Sequence, residues 1–125
     1  MLLWTGVCLD CAVPLELAEF YARLLGWEIT YRSDDWYQLR DPAGGVGLNV
    51  QGDVRYEPPV WPEEPGRPGK QLHFEIAVDD MTAAVVHAVS CGAAAAPWQP
   101  PDRDPGQLRV MLDPAGHPFC LYDDG

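Results

Sequence analysis

His73 and Glu75 stand two residues apart in a run that alternates in polarity, Leu72, Phe74, Ile76 and Val78 against His73, Glu75 and Ala77. A period of two is that of a strand, so the imidazole and the carboxylate share one face, roughly 7 Å apart along the chain. Such a pair suits acid–base work: the carboxylate can orient the ring or raise its pKa. The plainer alternative is a hydrogen-bonded structural histidine. Cys120 lies far off in sequence and would make a Cys–His pair only if folding brought it to His73. Thiolate and imidazole together would suit zinc. His87, mid-helix, reads as a surface residue, and His117 as a turn residue.

Other chemistry finds less support. Cys8-x-x-Cys11 has no second pair for a zinc ribbon, and Cys8 reads as mid-strand rather than at a helix start, where a thiolate is stabilised. The four cysteines, Cys91 included, read as reduced structural thiols. The chain has only two serines, Ser33 and Ser90, and neither sits in a G-x-S-x-G elbow. Gly44, Gly45 and Gly47 lie in a hairpin with no helix or lysine following, so they cradle no phosphate.

The elements that position these residues come from a repeat. Asp41-Pro42-Ala43-Gly44 returns as Asp113-Pro114-Ala115-Gly116, each time between two apolar, strand-like runs. Proline presets φ for a turn and glycine accepts positive φ, so each copy predicts a β-hairpin. The first half reads as a strand over 2–10, a helix over 14–25 opened by Pro14 and closed by Gly26, and strands over 27–33, 36–40 and 45–51. The second half repeats the order: a strand over 71–78, and a helix capped by Asp79 or Asp80 with Met81, Val85, Ala88 and Val89 on its apolar stripe. Strands over 93–98, 108–112 and 118–122 follow. The sequence thus predicts one α+β domain over 1–125: a βαβββ module at 1–51, a connection at 52–70 and a second βαβββ module at 71–125. The connection holds many prolines and glycines, which exclude a regular element. It reads as a solvated linker or, given Tyr56 and Trp61, as a flap over a pocket.

Composition narrows the partners. Eight basic against 19 acidic residues give a formal net charge of −11, which a phosphate backbone would repel. The reading is therefore no nucleic acid. Basic residues form no patch, and no apolar run is long enough to cross a bilayer, so no membrane partner is expected either. The first residues, MLLWTGVCLDC, carry no basic flank and no signal-peptide core, which makes a cytoplasmic protein the expectation.

Phe20-Tyr21-x3-Leu25-Gly26-Trp27, His73-x6-Asp80 and Asp113-Pro114-x-Gly116-x2-Phe119 together resemble the vicinal oxygen chelate superfamily, in its small glyoxalase-like group. That superfamily includes glyoxalase I, extradiol dioxygenases and the bleomycin- and fosfomycin-resistance proteins. The resemblance spans essentially the whole chain. It implies that the two modules form a half-open, eight-stranded, U-shaped barrel, usually in a homodimer, with the site in the cup. Metal-dependent members hold a divalent ion with His or Glu on the first strand and Glu on the last strand of each module. Carried over, those positions fall on Gly6, Leu48, His73 and Cys120. Only His73 is a standard ligand, so the standard site is not assembled and no metal cofactor is expected.

Two functions follow. The first is a binding protein whose cup takes a small, partly apolar molecule, lined by Cys8, Asp10, Trp36, Val46, Leu48, Val50, His73, Trp98, Cys120 and Tyr122. The alternative is a lyase, isomerase or dioxygenase of the glyoxalase type. It would use a nonstandard divalent ion such as zinc at His73, Glu75 and Cys120, the candidate catalytic residues.

Overall fold

In a computed structural model describing all of residues 1–125, the chain divides into two units, Met1–Glu57 and Pro58–Gly125. Residues 58–70 therefore belong to the second unit.

The first unit runs β1 (Gly6–Cys11), α1 (Pro14–Leu25), β2 (Glu28–Arg32), β3 (Trp36–Arg40) and β4 (Gly47–Gly52). Its sheet has the order β1-β4-β3-β2, with β1 and β4 parallel and the other pairs antiparallel. Pro14 opens α1 at a position where its missing N–H costs nothing. Gly26 closes it at φ 70°, in the left-handed region. Leu17, Ala18, Phe20 and Tyr21 are the helix's buried face, and α1 packs on β3 and β4. The sheet's contribution to this core is Leu9, Tyr37, Leu39, Leu48 and Val50.

The second unit runs β5 (Phe74–Val78), α2 (Met81–Cys91), β6 (Ala94–Ala95), β7 (Leu108–Leu112) and β8 (Pro118–Asp123), with sheet order β5-β8-β7-β6. Again the first and last strands pair in parallel. Asp80 is the cap of α2, its carboxylate accepting from the Ala83 N–H at 3.0 Å. The buried stripe of α2 differs from expectation: Ala88 and Cys91 are buried, whereas Val89 is 51% exposed. β5 also starts later than the alternation suggests, at Phe74, so that His73 sits at the strand's entrance and Leu72 is exposed.

The repeated tetrapeptide makes a turn in both units. Asp41 accepts from the Ala43 N–H at 2.8 Å, and Asp113 accepts from the Ala115 N–H at 2.9 Å. Only the second copy adds a tie, from the His117 N–H at 2.9 Å, and only there is the aspartate buried. Gly116 sits at φ 87°, and a Cβ there would lie 2.8 Å from the Pro58 side chain. Glycine is thus required both by the backbone and by the strap that passes over the turn.

Candidate functional site

The first unit carries the expected residues Cys8, Asp10, Trp36, Val46, Leu48 and Val50. Parallel partners share a face, and β1 pairs Gly6 with Gly47, Val7 with Leu48, Cys8 with Asn49, Leu9 with Val50 and Asp10 with Gln51. Cys8 and Asp10 therefore stand with Asn49 and Gln51, and β3 adds Trp36 and Gln38 to the same face. Leu48 and Val50 stand on the other face, 4% and 0% exposed, in the core beneath α1. Val46 precedes β4 with the same parity. This corrects the expectation that these three share a wall with Gly6, Cys8 and Asp10. The reason is the period of two: a one-residue change of register exchanges the faces, and the apolar set goes to the core.

The residues that replace them are polar. A depression of about 180 Å³ is lined by Thr5, Thr30, Gln38, Arg40 and Asn49 among others. The alternation of Trp36, Gln38 and Arg40 against the buried Tyr37 and Leu39 carried the signal for this face. The metal position implied for β1 is filled from across the strand: a Cβ on Gly6 would meet the Asn49 amide nitrogen at 2.9 Å. On this face β4 offers Gly47, Asn49 and Gln51, none of them a carboxylate or an imidazole. The Cys8 thiol has its pKa raised, first by burial and then by Asp10.

The second unit gathers more of the predicted set. Glu75 pairs with Cys120 across β5 and β8, Ala77 with Tyr122, and Cys120 with Val110 across β8 and β7. Glu75, Cys120, Tyr122 and Val110 thus share one face. Its floor is apolar: Ala96, Val110 and Cys120 form a buried cluster with Leu108, Leu112 and Trp61 packed against it. His73 Nε2 lies 3.6 Å from Glu75 Oε1, close enough for charge to be felt but longer than a good hydrogen bond. The Glu75 side chain is 66% exposed, whereas Cys120 is 3% exposed. Burial pushes the Cys120 thiol pKa up; Glu75 adds to the rise, while Arg103 and Lys70 oppose it.

Trp61, read in the sequence only as part of a flap, and Lys70 join this face beyond the expected lining. Trp61 comes from the proline-rich connection. Its ring centroid is 5.1 Å from that of His73 and 5.4 Å from that of Trp98, with Lys70 Nζ 4.1 Å from the ring centre. Lys70 also reaches Glu63 at 3.1 Å. The segment holds itself in this shape: the Val60 N–H donates to the Pro68 carbonyl at 2.8 Å, and Val60 bridges Gly69. Residues 58–70 are a closed strap that sets an indole on the sheet. Trp98 is held by its neighbour. The Gln99 amide donates to the carbonyls of Val110 at 2.8 Å and Ala96 at 3.0 Å, and accepts from the Val110 N–H at 2.8 Å. A side chain thereby does for β7 what a longer β6 would have done.

The donor set does not fit the superfamily's ion. Nowhere do three His, Cys, Asp or Glu side chains gather closely enough to hold a metal, and His73, Glu75 and Cys120 are no exception. None of the four cysteines forms a disulfide. His87 is on an exposed part of α2 with the Cys91 Sγ 3.8 Å from its Nε2, and His117 is in the second hairpin turn. No helix is long and apolar enough to cross a membrane.

Comparison with known proteins agrees with this architecture. A glyoxalase-like domain model matches residues 6–122. A glyoxalase/bleomycin resistance protein/dioxygenase family enzyme from Burkholderia phytofirmans superposes with a TM-score of 0.67 at 18% identity, over 96% of this chain and 97% of that one. A glyoxalase family protein from Enterococcus faecalis gives 0.68 at 19% identity, over 94% of each. The trypanothione-dependent glyoxalase I of Leishmania major gives 0.62 at 12%, over 99% of this chain and 88% of that one. No curated protein matches in sequence. At such identities the structures speak for the fold, and the domain match speaks for descent. With its two βαβββ modules and a match over nearly its full length, the chain belongs to the glyoxalase-like domain family of the vicinal oxygen chelate superfamily.

Proposed function

We propose that this protein binds a small, partly apolar molecule on the Cys120 face of its second module, and does so without the superfamily's standard divalent site. The observation that carries the reading is the contact of Trp61 with Trp98 and His73, Trp61 itself packing on the apolar floor of Ala96, Val110 and Cys120. Ring faces over aliphatic side chains, with an imidazole and a carboxylate at the margin, are the composition of a small-molecule site. The residues on the expected ligand side add support: Gly6 and Asn49 in the first unit, with Leu48 turned into the core, and His73 and Cys120 in the second. A thermal-shift screen with small aromatic compounds and divalent metals tests this, since a ligand of the folded state raises the melting temperature. Aromatic compounds are expected to stabilise the protein and metals to leave it unchanged. About one metal ion per chain in the purified protein, lost in His73→Ala, would overturn the reading.

One observation favours the enzymatic alternative, the approach of His73 to Glu75 at 3.6 Å. A lyase, isomerase or dioxygenase built on it would lose activity in Glu75→Gln.

A further inference from the structure

Trp61 already holds a cation. Lys70 Nζ sits 4.1 Å from the centre of its ring, within the range where the negative face of an indole attracts an ammonium group. The same nitrogen is 3.1 Å from Glu63 Oε1, and the Lys70 side chain is only 18% exposed. The group thus occupies a seat with an aromatic base and a carboxylate side. Around that seat stand Trp98 and His73, each in ring contact with Trp61, and Glu75, 3.6 Å from the His73 ring.

We infer that the ligand of this face is an aromatic organic cation, and that Lys70 keeps its seat until the ligand's charged group replaces it on Trp61 and Glu63. This rests on the small-molecule reading above and specifies the ligand's chemistry. Three physical points favour a cation. Exchange of one ammonium for another leaves Glu63 paired, so no carboxylate loses its counter-charge on binding. A released Lys70 extends into water on its flexible stem at little cost, whereas a ligand quaternary ammonium is weakly hydrated and gains more from the indole. The formal net charge of −11 draws cations and repels anions at long range. The aromatic part of the ligand finds its own partners in Trp98 and His73.

The test is calorimetric titration of the full chain at low salt with two probes of similar size, benzyltrimethylammonium and benzyl alcohol. The cation is expected to bind at least tenfold more tightly. Lys70→Met removes the resident ammonium but keeps most of the stem; it should tighten the cation several-fold and leave benzyl alcohol unchanged. Arg23→Gln makes the same change in net charge on α1 and should alter neither affinity. Glu63→Gln should weaken the cation alone. Equal binding of the two probes would overturn the inference and leave the small-molecule reading intact. Loss of cation affinity in Lys70→Met would do the same, by showing that Lys70 supports the site instead of filling it. If neither probe binds and no aromatic compound shifts the melting temperature, both readings fall together.

Discussion

Trp61 rests against Trp98 with ring centroids 5.4 Å apart and planes tilted by 48°, although 36 residues of chain separate them. One indole comes from the strap and packs on the floor of Ala96, Val110 and Cys120, and the other comes from the loop after β6. Removing Trp61 should therefore act on stability and on access at once. Trp61→Ala is expected to cost about 2 kcal/mol, below the range for a fully buried aromatic because the ring is partly exposed. It should also open the Cys120 thiol, 3% exposed in the native chain, to a disulfide reagent. Denaturant unfolding and thiol-labelling rates measure the two effects.

Gln99 fixes the other indole. Its amide makes three hydrogen bonds to Ala96 and Val110, two of them donated and one accepted. Gln99→Ala leaves the Val110 N–H without its partner beside an apolar cluster, and should destabilise the protein by about 2 kcal/mol. Gln99→Glu keeps the acceptor but sets a carboxylate oxygen against the carbonyls of Ala96 and Val110, so it should be no better tolerated than alanine. The same denaturant measurement checks both.

Cys120 should titrate late. Its pKa is raised from the ordinary thiol value of 9.0, by burial first and Glu75 second. The protonated form is the one the folded state favours. The associated stability is whole below about pH 9 and is lost as pH rises through the higher folded pKa. Alkylation of native protein should accordingly be slow at neutral pH, with a midpoint above 9.0. Cys120→Ala should flatten the fall in melting temperature on the alkaline side.

The two hairpin turns should respond unequally. Asp113 is 4% exposed and accepts from both Ala115 and His117, whereas Asp41 ties Ala43 in an exposed turn. Asp113→Ala is expected to cost about 2–3 kcal/mol and Asp41→Ala about 1 kcal/mol or less. Paired thermal melts of the two variants would show the difference, and equal losses would contradict it.

How far the sequence could be read depended on the range of the interactions. The two modules were legible because their signals are local: Pro14 and Gly26 bound α1, Asp80 caps α2, and each Asp-Pro-Ala-Gly makes its own turn. The face of β4 was not. Leu48 and Asn49 are neighbours, and which of them shares a face with Cys8 depends on pairing with β1, some 40 residues away. His73 and Cys120 follow from the family's pattern, and both fall in one unit beside Glu75. Trp61 stands out in the sequence as an aromatic that water would not favour, but its seat on Val110 and Cys120 follows from the closure of the strap by Val60, Pro68 and Lys70. No spacing rule encodes that closure.

Tryptophans this close do not absorb independently. The neighbouring transition moments of Trp61 and Trp98 should couple into a paired positive and negative band in the ultraviolet circular dichroism, on top of the signal from the backbone. Trp4, 76% exposed, lacks such a neighbour in that strap and would contribute mainly long-wavelength emission. The second module therefore carries its own optical signature, one that reports the seating of the strap without any attached dye.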